Sequence, residues 1–499
     1  MNFALFPEIK ARGSPDAWAL VDARLRLTWA ELDQLAKRSA NLLVGRGARR
    51  GDRLAIHLPN RAEAVIAFLG ALKAGVIAVP LNWRLQGPDL DRLVRHCAPM
   101  ALLTTTDRAA ESRPGVPCLD CGPAPKSGTF WSELAAQPDT FQAVGCQHGD
   151  IANLLYTSGT TATPKAAIHT HGMRLAVAAA MADCFKLGSH DVGLAISPLF
   201  HTSGMSVFSN AMFAGCALVL LEKWDLDLFL ATIEQERVSF MHLITTIVVD
   251  ITRAPEEKFS RHPRSVRFTW GGGHAVDPKI FETFERRIGG VFLAGYSRTE
   301  GGLAYNPLDA RRRRFDAHGY GNRNSSEIAV FDATIQKPCK AGATGEIVVR
   351  GDGVSPGYWD GDMLRSLRPY DGGWLPTGDL GMIDAEGALH FLGRTDHMIK
   401  TGGENVYPAE VAAVLLAMPE VVDAMVVDLP DERLGQRVAA LVVVAADSSL
   451  TTAAIEHACR AQLGGFKIPR TIAFTDALPR LGNDKIDIGA CRSLLMAQA

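Results

Sequence analysis

The stretch from Leu154 to Gly172, LLYTSGTTATPKAAIHTHG, carries residues suited to holding an anion. Thr157, Ser158, Gly159, Thr160 and Thr161 are five small residues in a row, and Lys165 follows. Small residues let backbone N–H groups approach an anion, and hydroxyls add donors. A lysine at the end of such a loop supplies a mobile positive charge for a phosphate. The pattern is not a Walker loop, because Pro164 precedes Lys165 and Ala166 follows it. By itself the stretch reads equally as a phosphate loop or as a Ser/Thr-rich turn.

Further clusters add complementary chemistry. Pro198-Leu199-Phe200-His201, followed by Thr202, puts a histidine just past an apolar strand, where open α/β sheets bind ligands. Gly271, Gly272 and Gly273 precede His274 and suit a flat ligand lying against the backbone. Gly295-Tyr296-Ser297-Arg298-Thr299-Glu300 offers an aromatic face, hydroxyls and a carboxylate, the parts needed for a base, a phosphate and Mg²⁺. Asp379, after the turn Pro376-Thr377-Gly378, suits a ribose diol. Lys485 lies on a polar loop near the end. Each cluster has a plain structural alternative: a core histidine, a flexible turn or a solvated loop.

The elements that must position these residues alternate. A capped helix is predicted from Thr28, and strands at 54–58, 76–79, 101–105, 151–156, 193–196, 217–221, 240–243, 267–270 and 291–294 are interleaved with helices. Such alternation implies parallel α/β sheets. A helix is expected straight after Lys165, and residues 111–150 read as a surface connection. From about Ser326 short strands separated by Gly/Asp turns suggest a small barrel-like β portion. The last ~100 residues are enough for a small α+β domain. The fold class is therefore α/β: a large N-terminal domain, 1–395, and a small mobile C-terminal α+β domain, 396–499.

Composition narrows the class. Hydrophobic residues are 47%, charged residues 21% and the net charge is -2, which argues against disorder and against a nucleic-acid partner. No apolar run reaches the ~18 residues of a membrane span. Nine dispersed cysteines suit a reducing cytoplasm. The lone CxxC of Cys118 and Cys121 has no second pair with which to hold zinc. A monomer or a homodimer is expected.

Taken together, YTSGTTATPK, LFH, GYSRTE, LPTGD, GRTDHMIKTGGENVYPAE and the terminal lysine resemble the adenylate-forming superfamily, in order and spacing, from about Leu27 to Lys485. That superfamily includes acyl-CoA synthetases, peptide-synthetase adenylation domains and beetle luciferases. The resemblance implies an adenylate-forming enzyme fold and two half-reactions. A carboxylate attacks the α-phosphorus of ATP, giving an acyl-adenylate and pyrophosphate; a thiol then displaces AMP. It implies that Lys165 and residues 157–161 cradle the β- and γ-phosphates, Glu300 ligates Mg²⁺, and Thr299 contacts the α-phosphate. Tyr296 would stack on adenine, beside Gly272, Gly273 and His274. Asp379 and Arg394 would hold the ribose, and Lys485 would bridge carboxylate and α-phosphate. Asp396 would be a hinge, with Lys400 serving the second step and Gly402 and Gly403 lining a pantetheine passage.

The acyl pocket is expected around His201, Thr202, Ile244, Trp270, Gly271, Tyr296, Arg298 and Ala304. Its apolar lining suits an aliphatic or aromatic acid. Arg298 stands where relatives often carry an apolar residue, so it meets either a polar group of the substrate or an internal acid. No carrier-protein segment follows Lys485, so CoA is the expected acceptor. The run Arg311–Arg314 reads either as a contact for its 3′-phosphate or as a solvated charge run. Ala162, Ser297 and Asp484 depart from the family pattern and put the rate in question. The alternatives are a luciferase-like oxidase and a nucleotide-binding relative without turnover.

Overall fold

The computed structural model describes residues 1–109, 115–157, 164–259, 265–272, 278–309, 311–361, 363–445, 448–480 and 486–498. Two large sheets carry the first part. One runs, edge to edge, Met363–Ser366, Gly357–Asp360, Lys165–Thr170, Ile151–Thr157, Ile77–Pro80, Arg53–Ile56, Ala101–Thr105 and Cys118–Cys121. The other runs Tyr320–Gly321, Leu303–Tyr305, Val291–Ser297, Phe268–Gly272, Phe240–Ile244, Val192–Ala195, Ala217–Leu220, Trp18–Val21 and Arg26–Thr28. The central strands of both pair in parallel. They are short apolar runs because helices cover both faces, so alternation with polar residues is not needed.

The helix Trp29–Gly45 begins where the sequence signals it. The Thr28 side chain accepts from the Glu31 N–H and the Glu31 carboxylate accepts from the Thr28 N–H. It packs against the helix Ala62–Ala74, which is buried all round. That helix also buries Lys73, satisfied by Glu8 at 2.8 Å and Asp33 at 2.9 Å.

Two expectations are corrected. The residues after Lys165 do not start a helix. Lys165–Thr170 is a strand antiparallel to Ile151–Thr157, and the helix His171–Phe185 starts only after Thr170 caps it by accepting from Met173 N–H. Ala166, Ala167 and Ile168 have helix-tolerant side chains, but pairing on both edges of the strand decides their state. Residues 111–150 are more than a connection. Cys118–Cys121 extends the sheet, and the helix Thr129–Ala135 buries Phe130, Trp131 and Leu134. The Trp131 indole donates to buried Glu63 at 3.0 Å, a partner 68 residues away that local reading does not reveal.

A five-stranded antiparallel sheet follows: Lys337–Pro338, Glu327–Asp332, Gly345–Arg350, Leu375–Ile383 and Leu389–Arg394. The C-terminal part forms a sheet of its own from Glu404–Val406, Ile399–Thr401, Gly435–Val444, Val421–Asp431 and Thr471–Phe474, with an apolar core around Val411, Leu415, Val426 and Ile455. Among the described residues no helix is long and apolar enough to cross a membrane.

The helix pair at the N-terminal end gives a stability test. A Cβ at Gly70 would lie 2.4 Å from Ser39 Cβ and 3.0 Å from the Ala36 carbonyl. Gly70→Ala should lower unfolding stability by about 1–3 kcal/mol through overpacking, read as a lower urea midpoint at unchanged slope.

Candidate active site

In the nine-stranded sheet Val192–Ala195 lies between Ala217–Leu220, its successor on one side, and Phe240–Ile244, the start of the series on the other. Strand order reverses there. Open α/β sheets hold ligands beyond the strand ends at such a point. His201 stands at the N-cap position of the helix Thr202–Ala214, past this strand end, and Ile244 ends the neighbouring strand. Gly271 and Gly272 end the next one. A Cβ on either would sit 2.2 Å from the Leu243 carbonyl or 2.4 Å from the Gly295 carbonyl, so close backbone packing requires glycine at both. Trp270 is fully buried among Phe185, Phe240 and Phe268, with the His242 ring against it. It therefore belongs to the packed floor beneath the glycines rather than to an open wall.

The strand Val291–Ser297 carries Tyr296 opposite fully buried Ala304. The Tyr296 hydroxyl donates to Asp379 Oδ2 at 2.6 Å, and its ring lies 5.9 Å from that of Phe391. Asp379 and Arg394 face each other across two antiparallel strands. Arg394 Nη1 reaches Asp379 Oδ1 at 3.2 Å, and its Nε reaches Asp396 at 3.1 Å. Arg298 lies between the two buried acids: Nη2 is 3.4 Å from Glu300 and Nε is 3.4 Å from Asp379. The internal-acid reading of Arg298 is the one this geometry supports. Tyr358 donates to the other Glu300 oxygen. Thr202 Oγ1 donates to Thr299 Oγ1 at 3.2 Å, and His169 Nε2 lies 2.8 Å from the Thr299 carbonyl. The Thr202 contact joins the His201 segment to the Tyr296 segment.

Electrostatics follow from burial and pairing. Burial works to raise the Glu300 carboxyl, but Arg298 and the Tyr358 hydroxyl outweigh it and hold it below the usual carboxylate range. Burial, then Asp379, pushes the Tyr296 hydroxyl far above its ordinary value, so it remains a donor. Burial lowers His169 and His242 to about 4, and both imidazoles are neutral at pH 7.

The structure thus brings together His201, Thr202, Tyr296, Arg298, Thr299, Glu300, Asp379, Arg394 and Asp396. Thr157 and exposed Lys165 face each other at the mouth of a hairpin. Ser158, Gly159, Thr160, Thr161, Ala162, Gly273, His274, Asp484 and Lys485 lie outside the described residues. Lys400 is exposed on Ile399–Thr401, and Gly402 and Gly403 form a two-residue hairpin turn with φ of 60° and 87° to Glu404–Val406. The Arg311–Arg314 run is largely engaged within the protein: Arg313 meets Glu285 at 2.6 Å, Arg314 meets Asp384 at 2.7 Å, and Arg312 covers the Tyr320 ring. Sequence reasoning missed Tyr358 and His169. Tyr358 lies in no motif, His169 lies in the 154–172 stretch but past its phosphate-loop residues, and sheet pairing brings both to the site.

Residues 7–359 match the family described as AMP-binding enzyme, and residues 410–485 match the AMP-binding enzyme C-terminal domain. The chain belongs to the AMP-binding enzyme family. It is similar to the long-chain-fatty-acid–CoA ligase FadD13 of Mycobacterium tuberculosis, 31% identical over 96% of this chain and 95% of that one. It is 32% identical to a feruloyl-CoA synthase of an Amycolatopsis species over 98% of each chain. Its structure resembles that of ATP-bound MatB from Rhodopseudomonas palustris, with a TM-score of 0.89, 29% identity and 99% of each chain covered. The family is that of the acyl-CoA synthetases in the adenylate-forming superfamily, and this chain is an acid–CoA ligase with ATP and CoA as co-substrates.

A Mg²⁺ ion fits the site in one way. Among the described residues no three His, Cys, Asp or Glu side chains converge as a cage. A single buried carboxylate, Glu300, suits Mg²⁺ that arrives with phosphate ligands of its own.

The buried histidines make the fold acid-sensitive. Burial also holds His171 and His318 near 4. Between about pH 6.5 and 4 the unfolded chain binds protons that the folded chain refuses, so stability falls as pH drops through that window. One such imidazole contributes about 3 kcal/mol across the window. The melting temperature should fall steadily from pH 6.5 to 4, and should fall less over that range in His242→Gln.

Proposed function

We propose that this acid–CoA ligase runs both half-reactions at the switch-point crevice, with the residues gathered there in distinct roles. The observation that carries this reading is the junction of Tyr296, Arg298, Glu300, Asp379 and Arg394, two carboxylates and two guanidiniums beside an aromatic ring at the strand ends. In the first half-reaction a carboxylate oxygen bonds to the α-phosphorus of ATP and pyrophosphate leaves. Negative charge builds on phosphate oxygens, so donors and cations must already be aimed there. Lys165 and the hydroxyls of residues 157–161 take the β- and γ-phosphates, and Thr299 the α-phosphate. Glu300 would hold Mg²⁺, which would supply charge neutralisation at the phosphates. Asp379 accepts from the ribose hydroxyls, Arg394 supports it, and Tyr296 with Gly272, Gly273 and His274 borders the adenine.

Lys485 bridges the acid and the α-phosphate in this step. In the second half-reaction the CoA thiol bonds to the acyl carbon and AMP leaves. A C-terminal domain, 396–499, turning about Asp396 exchanges Lys485 for the Lys400 hairpin, whose Gly402–Gly403 turn leaves room for the pantetheine arm. The acid is an aliphatic or aromatic carboxylic acid whose apolar body lies near Ile244 and Ile247, with His201 beside the carboxylate. The reducing chemistry suited to nine free cysteines favours the cytoplasm.

A panel of carboxylic acids scored for pyrophosphate release, with and without CoA, tests the reaction and finds the acid. CoA-dependent AMP formation is expected; no release with any acid would favour a binder without turnover. Lys485→Ala should cut adenylation by about 10²-fold or more while sparing thioester formation from preformed acyl-AMP. Equal loss in both assays would contradict the exchange of catalytic groups.

A further inference from the structure

Arg298 is held less closely by its acids than the three part-buried arginines Arg61, Arg267 and Arg313 are by theirs. Arg61 meets Glu222, Arg267 meets Asp191 and Arg313 meets Glu285, each at 2.6 Å. These are the distances of charge-assisted hydrogen bonds that fix a side chain. Arg298 instead stands 3.4 Å from both Glu300 and Asp379. Its Nη1 is buried and has no hydrogen-bond partner among the described residues. A guanidinium so placed contributes charge to both acids without the close hydrogen bonds that would lock it. The two acids are themselves almost fully buried, at 9% and 5% exposed, so each requires a nearby cation.

A divalent ion on Glu300 would share that carboxylate with a guanidinium that stands 3.4 Å from it, and like charges in a site poor in water repel strongly. Both cations cannot keep the same carboxylate. We propose that Arg298 is a displaceable counter-cation: it holds Glu300 until the metal–nucleotide arrives, then withdraws towards Asp379 and leaves Glu300 to the metal. Arg298 is thus a positioning residue that sets how tightly the metal binds. The inference rests on the assignment of Glu300 as the metal carboxylate.

The test titrates Mn²⁺ into the full-length protein saturated with α,β-methylene ATP and reads bound metal by electron paramagnetic resonance. Arg298→Met should tighten Mn²⁺ about tenfold, because the competing charge is gone. Arg298→Lys, which keeps a cation there, should stay within about twofold of the parent. A purely structural arginine would give the opposite sign, with Mn²⁺ weakened along with stability. Unchanged or weaker binding in Arg298→Met overturns the proposal. Should that variant not fold, Arg298→Gln carries the same expectation, and failure of both to fold would mark Arg298 as a lock and equally overturn it. Glu300→Gln separates the two readings. If it loses Mn²⁺ while Arg298→Met gains none, the counter-cation idea alone fails; if it keeps Mn²⁺, the metal assignment itself fails.

Discussion

The site depends on one line of alternating charge: Glu300, Arg298, Asp379, Arg394 and Asp396. Two of its carboxylates are shut away from water, where an isolated charge would be intolerable. Each acid is therefore tied to a guanidinium, and each guanidinium reaches a second acid. Three stretches of chain must converge for this to exist: the end of Val291–Ser297, the strand Leu375–Ile383 and the end of Leu389–Arg394. Tyr296 seals the junction by donating to the same Asp379 oxygen that Arg298 approaches.

The backbone supplies the second constraint. The order of the parallel strands in the nine-stranded sheet reverses beside Val192–Ala195, the kind of point beyond which open α/β sheets hold ligands. Glycine at 271 and 272 lets adjacent strands pack closely at these strand ends. Beneath them lies an aromatic floor of Phe185, Phe240, Phe268 and Trp270. The aromatic floor, the charged line and the helix start at His201 lie around these strand ends. The C-terminal part has a hydrophobic core of its own, around Val411, Leu415, Val426 and Ile455.

How the charged line is held bears on catalysis. Electrostatic stabilisation of a transition state is effective when donors and cations are set before the substrate arrives. Arg394 and Tyr296 meet that condition, with hydrogen bonds of 3.2 and 2.6 Å to Asp379. Arg298 does not, because its contacts are longer and one of its nitrogens is unused among the described residues.

The sequence by itself determined the fold class and the chemical parts. Apolar runs of strand length between helical patterns marked parallel sheets, and the Thr28–Glu31 box marked a helix start to the residue. Residue types within GYSRTE and LPTGD were enough to suggest a nucleotide site, because phosphate, ribose and base each demand a distinct side chain. Tertiary structure alone decided which parts touch. Tyr358 reaches Glu300 across 58 residues, and Trp131 reaches Glu63 across 68. The strand after Lys165 is a strand only because two others pair with it. For Arg298, too, only the tertiary structure brings Glu300 and Asp379 within 3.4 Å of it. Whether a buried guanidinium serves a substrate or an internal acid depends on distances between segments far apart in the chain, and no local pattern encodes them.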